Sequence, residues 1–315
     1  MIDNITMVKK TLSENEIKAI IKNSRLMRNS LNGLIYYDNR TTKNFTGGLF
    51  IKIDPNNRLK ITGSLHKYYS YLETGSLTNF DSFTMLQAKA TFERLILNTG
   101  INPDKVEITF FEIGINVKLP IEPKTVLEAI HSIGKHKEKI FLIDANHKDN
   151  RQVTTERHRD YRLYFKIYDK VFEMLDKQNR RTPTGLNIIR IETVHRRCEK
   201  VFLKDFLNLD NLIRLQNLFF NEWENLNFYN DITAPKGTTR GKIDLIRNII
   251  YKGKNEVLSQ YKSQYENNAL TKRQFYTVKE FIKNWEAIRH EFDIKNSKIV
   301  PIWKNAYNTE VQQIT

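Results

Sequence analysis

The chain has 315 residues, 40% of them hydrophobic and 28% charged, with 51 Lys plus Arg against 36 Asp plus Glu. That length and composition exclude a disordered chain and allow one large domain or two ordinary ones. The net charge of +15 favours a polyanionic partner, because neutralising phosphates releases counterions; an incidental excess of lysine is the plain alternative.

In chain order, IDNITMVKK alternates as a short first strand, and SENEIKAIIKNSRLMRN follows with a helical period. Ser13 and Glu16 form an S-x-x-E capping box at its start. GGLFIKIDPNNRLKITGSLHKYY reads as a hairpin that turns at DPNN, residues 54–57. On its second strand Ser64 and His66 fall opposite Leu59, Ile61 and Leu65. DSFTMLQAKATFERLILNTG is an amphipathic helix with Asp81 or Ser82 as N-cap and Gly100 as C-cap. It runs into KVEITFFEIGINVKLP, the longest strand pattern. Phe111, Ile113, Ile115 and Val117 form its core face, and Val106, Ile108, Phe110, Glu112 and Asn116 lie opposite. A helix at EPKTVLEAIHSI, strands at KIFLIDAN and RDYRLYFKIYDK, a short helix at VFEMLDKQN and a strand at LNIIRIETVHR follow.

This order predicts an α+β domain over residues 1–205. Its sheet is mainly antiparallel with helices on one face, and it is open to division into two similar β-α-β halves. Residues 206–315 are helix-periodic and form a helical C-terminal region, with ITAPKGTTRGK as the linker. There NALTKRQFYTVKEFI sets a capped basic helix after a short turn, which is either a DNA-binding helix-turn-helix or an ordinary helix pair. Cys198 is the only cysteine, so no internal disulfide or cysteine-based zinc site can form, and a reducing compartment is expected. No apolar run approaches the ~20 residues that span a bilayer. MIDNITMVKK lacks the basic and apolar regions of a secretory signal. A cytoplasmic protein with no membrane partner is the expectation.

The stretch RLYFKIYDK carries the chemistry. Leu163, Phe165 and Ile167 form its core face, so Tyr164, Lys166, Tyr168 and Lys170 lie opposite. In NIIRIET, Arg190 and Glu192 likewise oppose Ile189 and Ile191. In one sheet, these residues and Glu112 gather on a single polar face. Two carboxylates there can hold a hard divalent cation, cations can stabilise charge on a phosphodiester, and a tyrosine hydroxyl can attack phosphorus. The alternative is an ordinary wet face with cross-strand ion pairs.

GSLHKYY after FTGGLF, then EITFFEIGINVKLP, YFKIYDKVFE and IIRIET, together with the opening MIDNITM, resemble the gene II-type replication proteins of filamentous phages. More distantly they are similar to plasmid rolling-circle initiators with a Y-D-K and R-x-E signature. The resemblance covers roughly residues 1–205. It implies a nick in one strand of an origin, a covalent 5′-phosphotyrosine intermediate, later strand closure and Mg²⁺ or Mn²⁺. The positions matching the family's acidic and basic motif residues are Glu112, Asp169, Lys170, Glu173, Arg190 and Glu192. On this reading Tyr168, Lys170 and Arg190 are catalytic, and Glu112, Asp169 and Glu192 hold the metal. His66, Lys67, Tyr68, Tyr164, Lys166, Arg196 and Arg197 contact the DNA, a hairpin or a single strand, with a host helicase or polymerase as further partners. Asp169 falls on the core side by strict alternation, so its role depends on the strand ending or bulging there.

One departure stands out. In similar proteins the nucleophilic tyrosine follows the R-x-E motif in a basic segment, but TVHRRCEKVFLKDF contains none, and Phe202 stands about where one is expected. Either another tyrosine attacks, Tyr168 first among them, or Phe202 replaces it in an engineered variant, or nicking has been lost. The H-hydrophobe-H metal motif of another nickase class is absent, and His147, His158 and His195 read as solvated or hydrogen-bonding residues. A non-catalytic single-strand nucleic-acid-binding protein would use the same face for stacking and phosphate tracking.

Overall fold

The computed structural model describes residues 1–144, 147–155, 162–178 and 185–314; His158 lies outside them. The chain begins β1 (Ile2–Lys9), α1 (Glu14–Asn23), β2 (Met27–Leu31), β3 (Leu34–Asp38), β4 (Phe50–Ile53), β5 (Leu59–Ser64), α2 (Leu65–Thr74), α3 (Met85–Thr99) and β6 (Val106–Lys118). It continues α4 (Pro123–Ala129), β7 (Ile130–Ile133), β8 (Lys139–Ile140), β9 (Leu142–Asp144), β10 (Lys148–Val153), β11 (Leu163–Asp169), α5 (Lys170–Gln178) and β12 (Ile188–Phe202). The remainder is α6 (Leu203–Phe206), α7 (Leu209–Glu224), β13 (Leu226–Phe228), β14 (Asp231–Thr233), α8 (Arg240–Lys252), α9 (Lys254–Glu266), α10 (Lys272–Ile288), β15 (Asp293–Lys295) and α11 (Ile299–Ile314).

The fold is α+β, built on a ten-stranded antiparallel sheet of order β2-β3-β4-β5-β1-β6-β12-β11-β10-β9. Phe111, Ile113, Ile115 and Val117 are buried as their alternation predicts, with Phe165, Ile167 and Ile191 beside them. Helices close this face: Phe206 of α6 meets Phe92 and Phe111, and Trp223 of α7 meets Phe165. No helix among the described residues is long and apolar enough to cross a membrane.

The chain divides into two compact units, Met1–Asn227 with Pro301–Thr315, and Phe228–Val300. The division thus falls after Asn227 rather than at 205, because α6 and α7 complete the sheet's core and the last helix returns to the first unit. The second unit has its own core of Leu245, Ile246, Ile249, Val257, Ile282, Trp285 and Phe292.

Three local readings change. The helix expected through residue 29 stops at Asn23, and Met27–Asp38 forms a hairpin over Asn32 and Gly33, both at positive φ as a tight two-residue turn requires. HKYY is helical rather than strand: the Ser64 hydroxyl accepts from Lys67 N–H and starts α2 there. The cap of α3 is Thr84, in a capping box with Gln87, rather than Asp81 or Ser82.

Candidate active site

Three adjacent strands place the predicted residues on one face. Lys166 lies opposite Glu192 and Tyr168 opposite Arg190 across β11 and β12. Across β12 and β6, Val194 is opposite Glu112, Glu192 opposite Gly114 and Arg190 opposite Asn116. Gly114 makes room for this grouping, because a Cβ there would meet the Ile191 carbonyl at 2.7 Å and the Glu192 Cγ at 2.8 Å.

The face is not wet. Lys166 and Tyr168 are each 7% exposed, and Arg190 and Glu192 1%. It is closed by the 75–84 loop, whose Asn79 and Phe80 carbonyls accept from Asn116 Nδ2 at 3.0 Å, and by the buried His66 at the start of α2. Sealing charge away from water is tolerated only where it is paired, and here the pairing is dense. Lys166 Nζ bridges Glu112 at 2.8 Å and Glu192 at 2.6 Å. Arg190 Nε donates to Glu192 Oε1 at 2.7 Å, its Nη1 to Asn116 Oδ1 at 2.9 Å and its Nη2 to Asp3 Oδ2 at 2.6 Å. Asn4 Nδ2 donates to the second oxygen of Glu112 at 2.5 Å. A register break between Ile2 and Ile5 accompanies the convergence of the consecutive Asp3 and Asn4 on this cluster.

Asp3 is the residue that sequence reasoning missed. The opening MIDNITM reads as a strand and shares in the family resemblance, but nothing local marks its aspartate as the partner of an arginine 187 positions away. Asp3 also accepts from Ser64 and, at 3.2 Å, from Asn79.

Electrostatics separate the acids. Burial raises the Glu192 carboxyl, but Lys166 and Arg190 together pull it far below the usual carboxylate range. Glu112 is pushed up by burial, with Lys166 opposing and Glu192 adding to the rise. Burial also acts on Asp3, and Arg190 overcomes it to leave that carboxyl lowered. The Tyr168 hydroxyl donates to Glu192 Oε1 at 3.0 Å, and burial followed by the Glu192 charge holds the phenol well above its ordinary value.

Beside this cluster lies a cavity of about 160 Å³ lined by Asp3, Asn4, Ser64, Lys67, Asn79, Tyr168, Lys170, Glu173 and Met174. Lys170, the first residue of α5, is buried and donates to Glu173 at 2.8 Å. Tyr168, Lys170 and Lys67 therefore line one cavity, with Glu192 accepting from the Tyr168 hydroxyl and Arg190 donating to the lining Asp3.

Other expected residues stand elsewhere. Asp169 faces away from Glu112 and Glu192, opposite Ile189, and its Oδ1 accepts from Phe172 N–H to cap α5. Tyr68 packs under α3, its hydroxyl accepting from Asn98, so it is a core residue rather than a DNA contact. His66 is buried and stacked on Phe83, and Tyr164 is buried, so neither presents a surface to DNA. Lys166 is an internal counter-ion for the two glutamates rather than a surface contact. Arg196 is half-buried, while Arg197 is exposed at positive φ where β12 breaks register. Phe202 is exposed at the end of β12. His195 stacks on Phe111 at 4.3 Å, and His147 lies 3.4 Å from Asp144.

The expected Mg²⁺ or Mn²⁺ ligands can be judged by their donor atoms. A hard divalent ion needs open oxygens. Those of Glu112 and Glu192 are engaged by Lys166, Asn4, Arg190 and Tyr168, and the Lys166 ammonium occupies the place a shared cation would take. Glu112, Asp169 and Glu192 thus do not fit the ion in this arrangement. Among the described residues no three His, Cys, Asp or Glu side chains group to hold one.

No protein-family model matches the chain, and no curated protein does. Among solved structures, the chain is similar to a rolling-circle replication initiator protein from Geobacillus stearothermophilus, 12% identical, with a TM-score of 0.41. The match covers 77% of this chain and 89% of that one.

Proposed function

We propose that the chain is a replication initiator that nicks one strand of an origin, with Tyr168 as nucleophile. The observation that carries this reading is Tyr168, whose hydroxyl donates to Glu192 at 3.0 Å and which lines a cavity together with Lys170 and Lys67. A phenol, a carboxylate acceptor and cations meeting at one small polar cavity are what attack on a phosphodiester requires. In the reaction the phenol oxygen bonds to phosphorus and the bond from phosphorus to the 3′ oxygen breaks. The 5′ phosphate stays on Tyr168, and the leaving strand takes up a proton as a 3′ hydroxyl. Glu192 orients the phenol and receives its proton. Two cations keep Glu192 a weak base and burial keeps the phenol weakly acidic, so proton transfer accompanies phosphorus–oxygen bond formation. Lys170 and Lys67 offset the charge that develops on the phosphate oxygens. A cavity of about 160 Å³ has room for one phosphodiester group, and in this reading the substrate strand reaches it unpaired.

The second unit serves this reading as a duplex-binding element. Thr271 caps α10 in a capping box after the turn from α9, and Lys272 and Arg273 open the helix.

The test uses single-stranded oligonucleotides tiled across the DNA flanking the coding sequence, with Mn²⁺ present as the family resemblance implies. The wild type should give a detergent-resistant protein–oligonucleotide adduct at one position. Tyr168→Phe should lower adduct yield by about 10³-fold or more while keeping its thermal midpoint, since the ring remains. Undiminished adduct from that variant would remove Tyr168 as the nucleophile, and no adduct from the wild type would overturn the reading.

A further inference from the structure

The hairpin of β2 and β3 lies outside the site, and nothing among the described residues of its unit covers its apolar tip. Leu31 and Leu34 face each other across the Asn32-Gly33 turn and are 66% and 59% exposed, with Met27 and Ile35 exposed behind them. Only the base of the hairpin is tied to the sheet, through Tyr37 opposite Ile53 and Asp38 opposite Lys52, so the tip projects. A rigid two-residue turn that carries paired leucines into water is expensive as decoration.

Its surroundings are cationic. Residues 22–43 contain Lys22, Arg25, Arg28, Arg40 and Lys43, all exposed, and one acid, Asp38, which is buried. Apolar side chains flanked by Lys and Arg are how proteins wedge open a base step, the cations holding the phosphates while the wedge replaces stacking. A second copy of the chain is the competing occupant, since β2 is the sheet's edge. Pairing two such edges would bring like charges together, which disfavours it.

We propose that the β2–β3 hairpin is a strand-opening pin, inserting Leu31 and Leu34 between base pairs of duplex DNA. This rests on the nicking reading above, in which an unpaired strand reaches the cavity at Tyr168, and the pin would supply that strand from a duplex. The step is binding and unstacking alone; no covalent bond changes.

Leu31→Ala/Leu34→Ala tests it, since both side chains are exposed and the fold does not depend on them. Two readouts are used: cleavage of the adduct-forming oligonucleotide as a single strand and as a linear duplex, and fluorescence of 2-aminopurine placed in the duplex. The wild type should raise the 2-aminopurine signal, and the variant should not. The variant should cleave the single strand at the wild-type rate and the duplex at least about tenfold more slowly. Equal unstacking by variant and wild type would overturn the pin. So would a wild-type dimer, seen by sedimentation, that the variant turns into a monomer, because the leucines would then be an interface between copies. If the wild type cleaves neither substrate, the nicking reading fails, while the fluorescence still decides whether the hairpin opens duplexes.

Discussion

Lys166 shows what a single residue does in this protein. The sequence places it on the face of Tyr164 and Tyr168, and alternation cannot tell a lysine in water from one sealed between two glutamates. The structure makes it the counter-ion on which both Glu112 and Glu192 depend. Burial lowers its ammonium, and the two carboxylates more than reverse that, so it stays charged far above neutral pH. Lys166→Met should therefore cost about 3–5 kcal/mol at neutral pH, because Glu112 loses its paired cation and Glu192 is left with Arg190 alone. Those carboxylates then take up protons more readily in the folded chain than in the unfolded one, so the deficit should shrink as pH falls from 7 to 5. Urea midpoints of variant and wild type across that range check this; a deficit that widens toward acid would refute the bridging role.

At the scale of elements, the site depends on three neighbouring strands holding register. β6, β12 and β11 put Glu112, Arg190, Glu192, Lys166 and Tyr168 on one face, and Gly114 leaves the space into which Glu192 and Arg190 fold. Gly114→Ala should cost about 1–3 kcal/mol by overpacking and should abolish the adduct at Tyr168, since the added methyl displaces Glu192. A cleavage rate equal to the wild type would show that this packing is not needed. The strands were legible because their apolar faces alternate cleanly. The hairpin at 27–38 was not, although Asn32-Gly33 is its signal, because the helical period of residues 14–23 runs on into SRLMRN without a proline or glycine to stop it. HKYY reads as strand for a similar reason: the Ser64 cap, three residues ahead of Lys67, decides helix over strand, and its preceding strand masks it.

For the whole molecule, acid sensitivity follows from two histidines held neutral. Burial depresses His66 to about 3 and His195 to about 4, from an ordinary 6.5. The unfolded chain takes up protons below about 6.5 that the folded chain refuses, so stability is full above that pH and is lost on the way down. Each histidine should withdraw about 2 kcal/mol by pH 5. Urea titrations at pH 7 and pH 5 should show a smaller loss for His195→Gln than for the wild type; equal losses would mean that His195 does not stay neutral. The sequence by itself determined the α+β class, the antiparallel strands and the face that Tyr168, Arg190 and Glu192 share, because apolar periodicity is a local property of the chain. Tertiary structure alone decided that this face is closed, that Asp3 completes it and that Asp169 and Tyr68 do not belong to it. It also decided that the chain divides after Asn227. Burial and ion pairing depend on which distant segments come to lie together, and no spacing along the chain encodes that.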